Sequence, residues 1–355
     1  MKGGVTTVYY EVLEKQVRFS FVGTENMTKI LLVGASGQLG SVILTHLLND
    51  GRECRILLRP SSKFVPPDSN NIEVVKGDLA DYASLKKACM GIDVVIATAS
   101  AIVPRAGEKF GEDEIENYRR LVDACTENAV KQFVFVSAFS SAHDELVPEF
   151  LVKRKIEQLI IQSGIAYTIF RCAAFMDIYY AAIGSSLATY GVQQPTLLRG
   201  FWLTKIYAKL TQGLIEKYRI ALLPGNGKTK HAFICVDDVA RFIVKSINIP
   251  TAKNRVIDLA GREVLSWNEV VKCYEALLGK KIVRVCMPAA MLNLIRLVLH
   301  PFSKAGENII SVLYVLGRYD YYQDMLELSS EFSLPLRTTH EFLQEKYKMS
   351  KNKEK

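Results

Sequence analysis

No stretch of this 355-residue chain holds the roughly 18 consecutive apolar residues that a membrane-spanning helix needs, so a soluble protein is expected. Cysteine is sparse and unpatterned. Cys54, Cys89, Cys125, Cys172, Cys235, Cys273 and Cys286 are odd in number and include no CxxC pair. This excludes a disulfide scaffold and points to reduced thiols in a reducing, cytoplasmic compartment. The five histidines, His46, His143, His231, His300 and His340, lack ligand spacing with cysteines or carboxylates, so no metal is expected. No Ser-His-Asp arrangement and no phosphate-loop lysine is present, which removes the hydrolase and nucleoside-triphosphatase readings. The net charge of +8 (45 basic minus 37 acidic) comes without any motif that reads RNA or DNA, so nucleic acid is not expected as a partner.

What the chain has is a run of residues 29–40, Lys-Ile-Leu-Leu-Val-Gly-Ala-Ser-Gly-Gln-Leu-Gly. An apolar strand enters three glycines and leaves as a helix with Leu39, Val42, Ile43, Leu47 and Leu48 at helical spacing, the opening of a dinucleotide site. Gly34 makes the tight turn, Gly37 leaves room for a pyrophosphate, and Gly40 lets helix and strand pack closely. Ser36, Gln38 and Leu39 complete the turn that faces the anion, with the helix N-terminus behind it. At the end of the next strand a dinucleotide site for NAD places Asp or Glu; this chain has Arg59-Pro60-Ser61-Ser62-Lys63. Arg59 and Lys63 can neutralise a 2′-phosphate, which favours NADP(H) over NAD(H), against the plainer reading of a solvated basic loop.

Strands are expected near 55–58, 72–76, 92–97, 132–137 and 166–170, and helices near 82–89, 113–129 and 150–163. This alternation predicts an α/β fold with a doubly wound parallel sheet. Asp78 and Leu79, after the third strand, flank the adenine in this reading, and Ala97, Thr98 and Ala99, after the fourth, flank the nicotinamide ribose. Asp78 also reads as a plain turn residue.

The segments GASGQLG, GDLAD at 77–81, VKQFVFVSAFS at 130–140, GIAYTIFRCAAFMD at 164–177 and HAFICVDDVARFIV at 231–244 together resemble the NmrA-like, atypical short-chain dehydrogenase family. The resemblance implies a Rossmann-type fold, NAD(P) binding, and either reductase activity on a small molecule or a non-catalytic sensor or assembly role. It also places Lys153 at the position of the active-site lysine, there to bind the nicotinamide ribose hydroxyls or to act as general acid. The wider superfamily carries a tyrosine four residues earlier; Glu149 stands here. Glu149 and Lys153 equally fit a helix-surface pair in the favourable i,i+4 order. Ser137, at the end of the fifth strand, falls where the superfamily orients a substrate carbonyl. Arg171 and Phe175 line the nicotinamide side if the pattern holds.

The expected layout is an N-terminal extension at 1–26, a dinucleotide-binding core at 27–177, a substrate lobe at 178–345 interleaved with returning core elements at 231–260, and a basic, mobile tail at 346–355. Glu11, Glu14 and Glu25 argue against a targeting segment at the start, and a loose alternation from Val8 to Val22 allows an added edge strand. In the lobe, Tyr179, Tyr180, Tyr190, Phe201, Trp202, Tyr207 and Tyr218 suggest an apolar pocket. The stretch 197–214, with its interleaved basic residues, also reads as a surface for a membrane or protein partner. Ser266 through Glu269 reads as a capping box, and Asp238 as the cap of the helix that follows it. The apolar and basic C-terminal region, with Leu146-Val147-Pro148, resembles the branch of the family that assists assembly of photosynthetic membrane complexes.

Overall fold

The computed structural model describes residues 28–100, 109–198 and 202–353. The N-terminal extension, its alternating segment and Phe201 lie outside the described residues.

Strands β1 (Ile30–Val33), β2 (Cys54–Leu58), β3 (Ile72–Lys76), β4 (Val94–Ala97), β5 (Gln132–Ala138), β6 (Ala166–Cys172) and β9 (Arg255–Leu259) form one sheet in the order β3-β2-β1-β4-β5-β6-β9. Every pairing in it is parallel. Strands β1 (ILLV) and β4 (VVIA) are buried throughout, as central strands covered on both faces must be. Alternation divides the side chains. Ile30, Leu32, Ile96, Val134 and Phe170 pack with helices α1 (Gln38–Asn49) and α7 (Val236–Ser246). Leu31, Val33, Ala97, Phe133 and Phe135 pack with α2 (Tyr82–Cys89), α3 (Glu112–Glu127) and α4 (Pro148–Gln162). This is the doubly wound, Rossmann-type arrangement expected from the alternation, and its strand order reverses between β1 and β4.

A second core surrounds Tyr180, Trp267 and Tyr274. It gathers α5 (Met176–Ala182), α8 (Trp267–Leu278), α10 (Lys304–Arg318) and α12 (Thr339–Lys353) with β7 (Ile220–Pro224), whose parallel partner β11 (Val283–Met287) is largely exposed, while β8 (Lys230–His231) and β10 (Leu265–Ser266) form a short antiparallel pair. The capping box at Ser266 is present in full, with Glu269 as its reciprocal partner. Between these elements lie α6 (Trp202–Thr211), α9 (Ala289–Leu299) and α11 (Leu326–Glu331).

Two expectations are corrected here. The basic tail through Lys353 is the last part of α12, not a loose end. Lys346 Nζ reaches the Tyr190 carbonyl at 3.0 Å and the buried Asp177 at 3.5 Å, tying the helix to the second core. Asp238 does not cap α7. The cap is Cys235, and the Val236 amide donates to Asp177 at 2.8 Å, while Asp238 turns inward to the Arg337 amide and guanidinium.

Candidate dinucleotide and proton-transfer site

The strand order reverses between β1 and β4, and ligands of such sheets bind beyond the carboxyl ends of the strands at that point. Gly34 turns the chain there with φ +99°, and the Gly37 amide donates to its carbonyl at 2.8 Å. A Cβ on Gly34 would lie 2.6 Å from Thr98 Oγ1 and 2.8 Å from the Ala99 amide, so the turn and the end of β4 are in contact. A Cβ on Gly40 would lie 2.1 Å from the Gly34 carbonyl oxygen, so α1 packs directly on the turn. Gly37 sits in extended conformation as the N-cap of α1, which leaves the amides of the helix's first turn without partners inside the helix. Among them, Gln38 is buried. Its Oε1 accepts from the Thr196 amide and hydroxyl at 2.9 and 2.8 Å, while Nε2 has no hydrogen-bond partner among the described residues.

Arg59 and Lys63 lie exposed on the turn that follows β2, closed by the Ser62 amide donating to the Arg59 carbonyl. Asp78 accepts from the Ala80 amide at 3.1 Å, an Asx turn that also orders Leu79. Thr98 is held by its amide and hydroxyl on the Val33 carbonyl, and the Ala99 carbonyl accepts from Tyr118 at 2.5 Å.

Lys153 is not on the surface of α4. Its ammonium lies 3.0 Å from Glu114 of α3, with side-chain exposures of 5% and 6%, and 5.3 Å from the Phe135 ring centroid. Ser100, one residue beyond Ala99, donates to the same Glu114 oxygen at 3.3 Å, which links the lysine to the end of β4. Glu149, one turn earlier on α4, is partly buried and bonded to Asn308 of α10 by its amide (2.9 Å) and carboxylate (3.3 Å). Burial raises the Glu149 carboxyl above its ordinary range, and Lys153 works against that rise. The alternative of an exposed i,i+4 surface pair is therefore corrected: Lys153 is a buried cation paired with Glu114, and its charge also acts on Glu149.

Ser137 lies in a second cluster of buried charge. The parallel register sets it opposite Arg171, and both point at the buried Glu157 of α4. The Ser137 hydroxyl donates to Glu157 at 2.5 Å, Arg171 binds the same carboxylate at 2.6 Å, and Arg154 joins from the adjoining turn. The Ser137 hydroxyl proton is thereby engaged by Glu157. The lobe's aromatics do not form one pocket among the described residues. Tyr180 is wholly buried in the second core, whereas Trp202 and Tyr218 are exposed.

Glu114, Glu157 and Asn308 escaped the sequence reading. Glu157 stands four residues after Lys153 and was within reach of helical spacing; the other two come from distant helices.

The NmrA-like family model matches residues 26–348. Photosystem II assembly factor Ycf39 of Cyanophora paradoxa is 27% identical over 277 residues, covering 75% of this chain and 74% of that protein. Phenylcoumaran benzylic ether reductase TP7 of Nicotiana tabacum is 24% identical, covering 74% and 78%. Among solved structures, the NADPH-dependent quinone oxidoreductase of Escherichia coli complexed with NADPH superposes with a TM-score of 0.68 at 17% identity, over 90% of this chain and 99% of that one. The leucoanthocyanidin reductase–NADPH complex of Vitis vinifera gives 0.63 at 18% identity, over 90% and 99%. With a glycine turn at the reversal point of a seven-stranded parallel sheet and a family match across nearly its whole length, this chain belongs to the NmrA-like family.

Proposed function

We propose that the chain binds NADP(H) in the crevice between β1 and β4 and reduces a carbonyl or activated double bond of an apolar small molecule. The observation that carries this reading is the contact of the Gly34 turn with the Thr98 hydroxyl and the Ala99 amide, which brings the glycine turn and the end of β4 together at the point where the strand order reverses. The residues present suit a dinucleotide. The bare Gly37 heads α1, so its first-turn amides and the Ser36 hydroxyl receive the pyrophosphate. Arg59 and Lys63 take the 2′-phosphate, Asp78 and Leu79 border the adenine, and Ala97, Thr98 and Ala99 border the nicotinamide ribose. When bound, the cofactor supplies a hydride. Lys153, fixed by Glu114, holds the ribose hydroxyls and stands as the proton donor in the absence of a tyrosine at position 149. Ser137 serves to position Arg171 and Glu157.

Calorimetric titration with NADPH and with NADH tests the cofactor, and absorbance of the reduced cofactor against a panel of quinones, enones and aldehydes tests the reaction. Tighter binding of NADPH followed by its oxidation is expected. Failure to bind either dinucleotide refutes the site, and preference for NADH refutes the 2′-phosphate assignment.

A second reading is a dinucleotide-binding assembly protein that works at a membrane surface and turns over nothing. It is favoured by Glu149 in the tyrosine's place and by the Ycf39 relatives. Tight NADPH binding without oxidation by any compound in the panel supports it.

A further inference from the structure

We propose that α6 is a docking helix for an anionic lipid surface. This goes beyond the reductase reading and does not depend on it. Surface helices of soluble domains turn their apolar stripe inward; α6 does the reverse. Ala208 and Thr211 are its buried residues, and Tyr207 Oη fastens the helix to the Ala182 carbonyl at 2.6 Å. At about 100° per residue, Trp202, Ile206, Leu210, Leu203 and Tyr207 fall within an arc of about 140°. All five are exposed, Trp202 by 60% and Leu210 by 74%. Lys205 and Lys209 lie together beside the Trp202 edge of that arc, both exposed.

Charge selects the occupant. From 178 to 215 there is no Asp or Glu. The first carboxylate after that span, Glu216, is turned inward, accepting from the Ser185 hydroxyl at 2.7 Å and from the Ser186 and Leu187 amides. The exposed charges of the described region are then Lys205, Lys209, Lys217 and Arg219, all positive. An apolar arc edged by lysines, with Trp and Tyr on it, suits the headgroup boundary of a bilayer that carries negative lipid. The lysines reach phosphates while the arc enters the acyl edge. No described helix is long and apolar enough to span a membrane, so the contact is peripheral.

The test is co-sedimentation of the full-length protein with phosphatidylcholine vesicles, with and without phosphatidylglycerol. Binding only to the phosphatidylglycerol vesicles is expected, reversed by salt, with a blue shift of tryptophan emission that Trp202→Phe abolishes. The other tryptophan, Trp267, is already buried. Lys205→Gln with Lys209→Gln is expected to lower the partition roughly 25-fold at low salt, at about fivefold per lysine. Ile206→Gln with Leu210→Gln, both at exposed positions, is expected to remove binding while far-UV circular dichroism stays unchanged. Absence of pelleting, or pelleting indifferent to these substitutions, overturns the proposal. So does self-association in sedimentation velocity that Ile206→Gln with Leu210→Gln dissolves, which would assign the face to a second copy of the chain.

Discussion

Replacing Lys153 with methionine separates the buried arrangement from the surface pair that sequence spacing suggested. In the structure the ammonium lies 3.0 Å from Glu114 and both side chains are almost fully covered, so water cannot replace the lost counter-charge. Breaking one side of a buried pair costs about 3–5 kcal/mol, because the remaining charge stays buried and uncompensated. An exposed i,i+4 pair is worth about 0.3–0.5 kcal/mol, an order of magnitude less. The variant also acquires a pH signature. Glu149 already holds its proton more tightly than its ordinary value of 4.5 because of burial, and Lys153 is what restrains that rise. A carboxyl raised in the folded state contributes stability below its unfolded value and loses it as pH rises through the folded value. The deficit of Lys153→Met therefore widens as pH climbs above about 4.5 towards neutrality. Urea unfolding followed by far-UV circular dichroism at several pH values measures both effects. Lys153→Met with Glu114→Leu, which removes both charges, is expected to recover most of the loss. A single-variant cost below about 1 kcal/mol, or a double variant no more stable than the single one, refutes the buried pair.

Other consequences are open to measurement. Burial holds His231 down to about 4 from 6.5, so the unfolded chain takes the proton first, and stability falls as pH drops from about 6.5 to 4. That loss amounts to about 3 kcal/mol, and thermal unfolding of His231→Gln should show a flatter profile across the same window. Arg59→Asp should weaken NADPH relative to NADH by at least about tenfold, read by calorimetry; an unchanged ratio removes the 2′-phosphate assignment. Ser137→Ala should cost about 1–2 kcal/mol of stability through loss of the Glu157 hydrogen bond, yet leave cofactor oxidation nearly unchanged. A collapse of turnover with the fold intact would restore Ser137 to the reacting centre.

The fold was legible because its signals are local. The apolar quartets of β1 and β4, the glycine turn and the amphipathic α1 each lie within a dozen residues, and their order dictates a parallel sheet. The second lobe was not legible in this way. Whether an aromatic there is core or surface depends on what its element meets: Tyr180 is enclosed by Phe233, Tyr274 and Phe342, while Trp202 is exposed by 60%. The C-terminal segment is as lysine-rich as a loose tail. What orders it is Asp177, far away in sequence on α5.

The candidate site divides along the same line. Its backbone half follows from spacing, since only glycine at 34 and 40 permits the contacts with Thr98, Ala99 and the turn itself. Its charged half does not, because along α4 the spacing offers Lys153 only Glu149 and Glu157, while the carboxylate that pairs with it, Glu114, comes from α3. Strands β4 and β5 are neighbours, so the helices that follow them, α3 and α4, cover the same face and bring Glu114 to the lysine. The same parallel logic sets Ser137 beside Arg171 and gives both to Glu157. A periodicity argument along one helix sees only the partners that helix carries. The strand order decides which other helices approach, and with them whether a lysine is a solvated side chain or a buried cation whose loss the fold would register.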